Sequence, residues 1–293
     1  MYLIIGASGY LGRYCIKNIL ENTSENIVAT YSEEVMPEYK NPRLEWKKLD
    51  VTSVEALKEI AKCVDEETKI IYLAAFHHPD KVEEMPELAW NINIVALANA
   101  VNLFRKAKCF YYSSTDTVYG EGGLDILFKE SDKTDPVNLY GKHKALAEQI
   151  TISGGGNVVR FPFIIGTSLV EGRPHFFDNL MNDIKNQKIV EMFDDSYRST
   201  LSFNQCAKFL VQLIEKYGAS EEKIVNISSD NAMSKYDVVL KMCEDFNLDK
   251  TFVKPISINN CEGIFKAKRA KSAILDNAKL KKLLNIEKIE LEF

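Results

Sequence analysis

Four apolar residues, Tyr2-Leu3-Ile4-Ile5, run straight into Gly6-Ala-Ser-Gly9-Tyr-Leu-Gly12. No other feature of the chain restricts its fold as much. The order reads as a buried strand, a tight glycine-rich turn and the first turn of a helix. Gly6 permits the turn, Gly9 lets the backbone come close to a bound group, and Gly12 lets the helix pack near the strand. Free N–H groups and the partial positive charge at the helix N-terminus then favour an anion. The pattern predicts a site for a dinucleotide pyrophosphate, with G-x-x-G-x-x-G spacing in place of G-x-G-x-x-G. Such glycines also occur in ordinary strand-to-helix loops, so the rest of the chain has to support the assignment.

The first half alternates short apolar runs with amphipathic ones. Strands are expected at Tyr2–Ile5, Ile27–Tyr31, Leu44–Lys48, Ile70–Ala75, Cys109–Ser113 and Val158–Phe161. Helices are expected from Tyr10 to Leu20, from a Thr52/Ser53 cap to Ala61, from Pro86 to Lys106 and from Tyr140 to Thr151. This alternation predicts an α/β fold with a Rossmann-type, doubly wound parallel sheet. Past Phe161 the rhythm is broken by Pro162, Gly166, Gly172 and Pro174. Helices are expected there at Phe176–Asn186, Gln205–Lys216, Tyr236–Phe246 and Asn277–Leu284, with a strand at Ile224–Ile227. The expected division is a dinucleotide-binding domain over 1–162, completed by the strand near 224–227, and a small, mainly substrate-binding lobe over 163–293.

Of the 293 residues, 46% are hydrophobic, which is enough for a full core. A net charge of −5 without a long basic block argues against a nucleic-acid surface. The basic stretch Lys266, Lys268, Arg269, Lys271 is short and reads as a solvated loop or one phosphate contact. Cys15, Cys63, Cys109, Cys206, Cys243 and Cys261 are scattered with no C-x-x-C pair, so neither a zinc ribbon nor a dithiol redox motif is expected. Adjacent His77 and His78 diverge, and no metal site is expected. His143 is expected to face away from its helical neighbours Tyr140 and Lys144, and His175 to lie in the second lobe. No apolar run approaches membrane-spanning length and the N-terminus carries no leader pattern, so a cytoplasmic protein is expected.

Tyr140-Gly-Lys-His-Lys144 places a phenol and an ammonium one turn apart on the same helix face. A free tyrosine titrates near ~10, and a nearby cation favours its phenolate, which makes the pair a plausible acid/base. A solvated surface pair is the plainer alternative. Ser113-Ser114-Thr115-Asp116-Thr117-Val118-Tyr119-Gly120 follows the fifth strand, where open α/β sheets bind ligands. A hydroxyl there could bond a reacting carbonyl, although these are also ordinary turn residues.

Taken together, the glycine triplet, S-S-T-D-x-V-Y-G and Y-x-x-x-K resemble the extended short-chain dehydrogenase/reductase family along the whole chain. Within it the sequence is most similar to the dTDP-4-dehydrorhamnose reductases. Ala74-Ala75-Phe-His-His-Pro-Asp80-Lys81-Val-Glu83 resembles their A-A-x-T-x-V-D-x-A-E segment, and 268–280 resembles their R-P-x-x-S-x-L-D-x-x-K-L. The resemblance implies that Tyr140 donates a proton to a sugar ketone, Thr115 bonds its oxygen, and Lys144 holds the nicotinamide ribose and lowers the tyrosine pKa. It places Gly6, Gly9 and Gly12 on the pyrophosphate with Tyr10 and Leu11 lining the turn. Asp50 and Val51 would contact adenine, Ala74 and Ala75 the cofactor, and Pro162 and Phe163 the nicotinamide and sugar. His77, Thr117 and Tyr119 fall on the substrate side. Arg198 would grip a nucleotide diphosphate, or else form a surface ion pair with Asp194 or Asp195.

The chain also departs from those reductases. His77 and Pro79 replace Thr and Val, Phe161-Pro162-Phe163 replaces T-S-W, and Lys268-Arg269-Ala270 lacks R-P. Asp116-Thr117 lacks the second acid of the 4,6-dehydratases. The end of the second strand reads Thr30-Tyr31-Ser32, with Glu33 and Glu34 later, so no carboxylate repels a 2′-phosphate there and Arg13 could face one. An NAD(P) cofactor is expected, with NADP favoured. The expected activity is reduction of a nucleotide-linked 4-keto-sugar. A nucleotide-sugar epimerase and a non-catalytic, cofactor-binding regulatory subunit are the alternatives. Homodimers through paired helices are common in the resembling family.

Overall fold

The structure, a computed structural model, describes residues 1–32, 38–261, 263 and 265–293. Glu33 and Glu34 lie outside the described residues, as does the side chain of Cys261.

Seven parallel strands form the centre: β1 (Tyr2–Ile5), β2 (Ile27–Tyr31), β3 (Leu44–Lys48), β4 (Lys69–Tyr72), β5 (Cys109–Thr115), β6 (Asn157–Phe161) and β7 (Ile224–Asn226). Their order across the sheet is β7-β6-β5-β4-β1-β2-β3. The order reverses between β1 and β4, and at such a switch point the loops beyond the carboxyl ends diverge and leave a crevice. The inner strands are largely apolar because helices cover both faces, whereas the edge strand β3 reads Leu-Glu-Trp-Lys-Lys and is partly exposed. Tyr2, Ile4 and Ala29 pack on one side with Ile16 and Ile19 of α1 (Tyr10–Asn22). Leu3, Ile5 and Ile70 pack on the other with Leu57 and Ile60 of α2 (Val54–Ala61). Ser53 caps α2 by accepting from the Ala56 N–H, as expected.

The expected helix from Pro86 to Lys106 is three consecutive runs, Pro86–Trp90, Asn91–Val95 and Ala96–Leu103, together α3, with the middle run wound as a π-helix. That wide turn aims the buried Asn93 at the loop after β4, where its side chain accepts from the Phe76 N–H (2.8 Å) and donates to the Phe76 carbonyl (3.1 Å). Strand β4 therefore ends at Tyr72, short of the expected Ala75. In contrast β5 runs two residues longer than expected, and Thr115 pairs with Phe161 on its last rung.

A short helix spans Pro79–Glu84, and the longer helices that follow α3 are α4 (Leu139–Ser153), α5 (Phe176–Lys185), α6 (Phe203–Tyr217), α7 (Lys235–Asp245) and α8 (Ala278–Leu284). A separate cluster including Phe177, Leu180, Val238 and Met242 joins α5 to α7. Short strands Met233–Ser234, Tyr197–Arg198, Ser272–Leu275 and Leu127–Phe128 make a small four-stranded sheet beside the large one.

Candidate active site

A cavity of about 790 Å³ opens at the carboxyl edge of the large sheet. Gly6, Gly9, Tyr10, Leu11 and Gly12 line one end; Thr115, Thr117, Tyr140, Lys144, Pro162, Phe163, His77 and Arg198 line the rest. Residues separated by more than a hundred positions thus share one space. Another cleft, about 670 Å³, lies between α6 and the segment after Leu284, and none of these residues borders it.

The glycine turn is built as its spacing suggested. Gly6 has φ +83°, and a Cβ there would come 2.8 Å from the Ala74 nitrogen. A Cβ on Gly12 would come 2.6 Å from both Cα and O of Ala7. Gly9 caps α1 without a side-chain acceptor, and the first turn of α1 carries no acid, so an anion meets no competing carboxylate there. Thr30, at the end of β2, accepts from the Gly6 N–H at 3.0 Å through its hydroxyl. Arg13 lies beside this region with its guanidinium 4.7 Å from the Trp46 ring centre. Ala74 abuts Gly6, and Ala75 follows it. Asp50 and Val51 lie past β3 and outside the cavity lining; the Asp50 carboxylate accepts from the N–H and hydroxyl of Thr52 at 2.9 and 2.7 Å.

The Tyr140–Lys144 pair is set by Asn138, which caps α4 by accepting from the Gly141 N–H at 2.8 Å. One turn on, Lys144 Nζ donates to the Ser113 carbonyl at 2.7 Å and lies 5.9 Å from the Tyr140 ring centre. Burial lowers the Lys144 ammonium to about 7, against the pull of Glu148. The Tyr140 phenol moves opposite to expectation: burial raises it, and the charge of Asp116 adds to the rise. Withdrawal of the hydroxyl from water governs the shift although the tyrosine as a whole is only half-buried, whereas Lys144 is buried. Thr115 donates to the Asp116 carboxylate at 3.0 Å and receives the Thr117 hydroxyl at 3.3 Å.

Two expected substrate-side residues are otherwise engaged. Tyr119 is fully buried, stacked on Phe128 at 4.6 Å, and its hydroxyl donates to the Lys129 carbonyl at 2.7 Å; it does not border the cavity. Arg198 does border it, but its guanidinium donates to the carbonyls of Tyr197, Lys271 and Ala270, and its Nε lies 3.1 Å from Asp116. Neither Asp194 nor Asp195 is its partner in these contacts. Burial raises the Asp116 carboxyl, and Arg198 opposes the rise.

Beneath Thr115, Glu148 and Arg160 form a buried ion pair with N···O distances of 2.9 and 2.6 Å, joined by the Ser114 hydroxyl and by Tyr119. Arg173, His175, Lys235 and Arg269 also line the cavity and were not singled out for it by sequence. Arg173 lies over Tyr10 at 5.2 Å, and His175 meets the same ring edge-on at 4.8 Å. Arg269 pairs with Asp80 at 2.7 Å, joining the two segments that resemble the reductases. His143 packs against Trp90, away from the cavity. Cys15, Cys63, Cys109, Cys206 and Cys243 are free thiols. Among the described residues no cluster is arranged to hold a metal ion, and no helix is long and apolar enough to cross a membrane.

A parallel sheet with a switch-point crevice, a glycine turn at one end and Thr, Tyr and Lys at the other define a Rossmann-type α/β protein of the dehydrogenase/reductase class. Residues 1–292 match the family described as RmlD substrate binding domain. The chain belongs to that family, and so to the dTDP-4-dehydrorhamnose reductase-like branch of the extended short-chain dehydrogenases/reductases. It is 30% identical over 290 residues to methionine adenosyltransferase 2 subunit beta of Xenopus tropicalis, covering 96% of this chain and 81% of that protein. It is 25% identical over 296 residues to a dTDP-4-dehydrorhamnose reductase of Aggregatibacter actinomycetemcomitans, covering 97% and 93% respectively. The crystal structure of a hypothetical dTDP-4-dehydrorhamnose reductase from Sulfolobus tokodaii superposes with a TM-score of 0.79 at 26% identity, over 99% of this chain and 97% of that one.

Proposed function

We propose that this protein reduces a nucleotide-linked 4-keto-sugar with NAD(P)H. The observation that carries the reading is the shared cavity: Thr115, Tyr140 and Lys144 border the same space as Gly6, Gly9 and Gly12. An uncapped glycine-led helix start fits a dinucleotide pyrophosphate, and Lys144 fits its ribose hydroxyls. The bound nicotinamide would supply the hydride. Tyr140 is held in its neutral, proton-carrying form by burial, which is the form that protonates a developing alkoxide. Thr115 would steady the same oxygen by turning its hydroxyl proton from the Asp116 carboxylate towards it. NADPH is favoured because Thr30-Tyr31-Ser32, at the end of β2, carries no carboxylate to repel a 2′-phosphate.

The test is NADPH oxidation by the purified protein with a panel of nucleotide-linked 4-keto-sugars. Tyr140→Phe should lower kcat by roughly hundredfold or more while NADPH affinity stays within about twofold. Full turnover in that variant overturns the mechanism. The identity to methionine adenosyltransferase 2 subunit beta across 96% of the chain supports a second reading, a non-catalytic cofactor-binding subunit. A stoichiometric complex with a methionine adenosyltransferase, together with no turnover on any keto-sugar, would establish that reading instead.

A further inference from the structure

Besides Lys144 and Arg173, three cations line the cavity, and two of these three already have partners. Arg198 is joined to Asp116 and to three carbonyls, and Arg269 is joined to Asp80. The third is Lys235, the first residue of α7, which Ser234 caps. Among the described residues its Nζ has no hydrogen-bond acceptor and no carboxylate within ion-pair distance. Its neighbours are two aromatic rings, Phe163 and Phe193, with centres 5.3 and 5.5 Å away. Phe163 borders the same cavity, so the rings steady the ammonium without neutralising it.

Lys235 is half-buried at the cavity wall, so water solvates its outer side and an anion entering the cavity would replace that water as its partner. Burial, with repulsion from Arg198 and Arg269, lowers the Lys235 ammonium to about 8. The Asp116 carboxylate already opposes this fall, and an incoming oxyanion would oppose it further. The Arg198 guanidinium is held by Asp116 and three carbonyls, and a bidentate fork would have to break at least one of these contacts, so the motif's arginine is largely occupied by the protein itself.

We propose that Lys235, rather than Arg198, receives an oxyanion of the substrate, either a phosphate of the nucleotide diphosphate or a carboxylate on the sugar. The proposal rests on the nucleotide-sugar reading above and deepens it by naming the anchoring group.

The experiment is titration calorimetry of wild type, Lys235→Met and Lys235→Arg with dTDP, UDP, UDP-glucose, UDP-glucuronate and inorganic pyrophosphate, with NADPH as a control ligand. Lys235→Met should weaken an anionic ligand by about tenfold or more, Lys235→Arg should restore most of the affinity, and NADPH binding should hold in both. A loss shared by dTDP or UDP and UDP-glucose assigns the phosphate. A loss confined to UDP-glucuronate assigns the carboxylate. In the wild type the effective ligand should also shield Lys235 from reductive methylation, a readout that needs no variant to fold. Unchanged affinities in a folded Lys235→Met, or no shielding, overturn the proposal. Pyrophosphate bound through Lys235 with no nucleotide ligand bound would sustain the anion site and remove the nucleotide-sugar reading. Failure of the wild type to bind any of the anions would remove both.

Discussion

The Lys144 ammonium donates to the main-chain carbonyl of Ser113 at 2.7 Å, which ties the second turn of α4 to the end of β5. Ser113 lies two residues before Thr115, on a strand paired with β6 through Thr115 itself. The two candidate hydroxyl groups, on a helix and on a strand, are thereby held in one frame. This anchor leaves Lys144 buried, and its pH behaviour follows.

Below about pH 7 both the folded and the unfolded chain hold the Lys144 proton, and the whole cost of burying the ammonium is present. Between about 7 and the ordinary 10.5 the folded chain releases its proton first, so the unfolded state binds more protons and stability rises with pH. Lys144→Met removes that cost. The melting temperature of the variant relative to wild type should be most favourable near ~pH 6 and least near ~pH 10. A difference that does not change with pH would contradict the buried ammonium.

Glu148 and Arg160 are both fully buried and bond each other in a bidentate fork. Glu148→Gln leaves a guanidinium without its counter-charge and should cost about 3–5 kcal/mol in urea unfolding. The double variant Glu148→Leu/Arg160→Met should recover a large part of that loss, because no unpaired charge remains.

Gly12→Val drives a branched side chain into Ala7, where even a Cβ would sit 2.6 Å from backbone atoms. The turn must shift, and NADPH affinity measured by fluorescence should fall by at least about tenfold. Gly9→Ala meets only the Gly6 carbonyl, at 3.4 Å, and should leave the melting temperature nearly unchanged.

Asn93→Ala removes both partners that the π-turn brings to Phe76. Two main-chain groups lose their bonds, so stability should fall by about 1–3 kcal/mol. Hydrogen exchange at the Phe76 amide should accelerate by more than exchange in β1. Equal change at both sites would mean that Asn93 does not hold the loop.

The glycine turn was legible in the sequence because it is local: strand, turn and helix start are contiguous, and their backbone needs are written in three glycines. The sheet class was legible for a similar reason, since apolar runs and amphipathic runs alternate with different periods. The π-turn in α3 was not, because an extra residue in one turn leaves the apolar pattern nearly intact. Tyr119 was misplaced because a tyrosine after a strand can turn to either side. Phe128 and Arg160 decide the matter here, and both are remote from the motif or separated from it by a loop.

By itself the amino-acid order determined the parallel strands, the start of α1 and the one-turn spacing of Tyr140 and Lys144, all of which depend on neighbours within a few residues. Tertiary structure alone decided which charges are spent and which remain. Arg198 meets Asp116 from 82 positions away, while Lys235 is left facing two rings. The physical reason is that ion pairing and desolvation depend on distance in space and on exclusion of water, and neither quantity is set until separate parts of the chain have packed together.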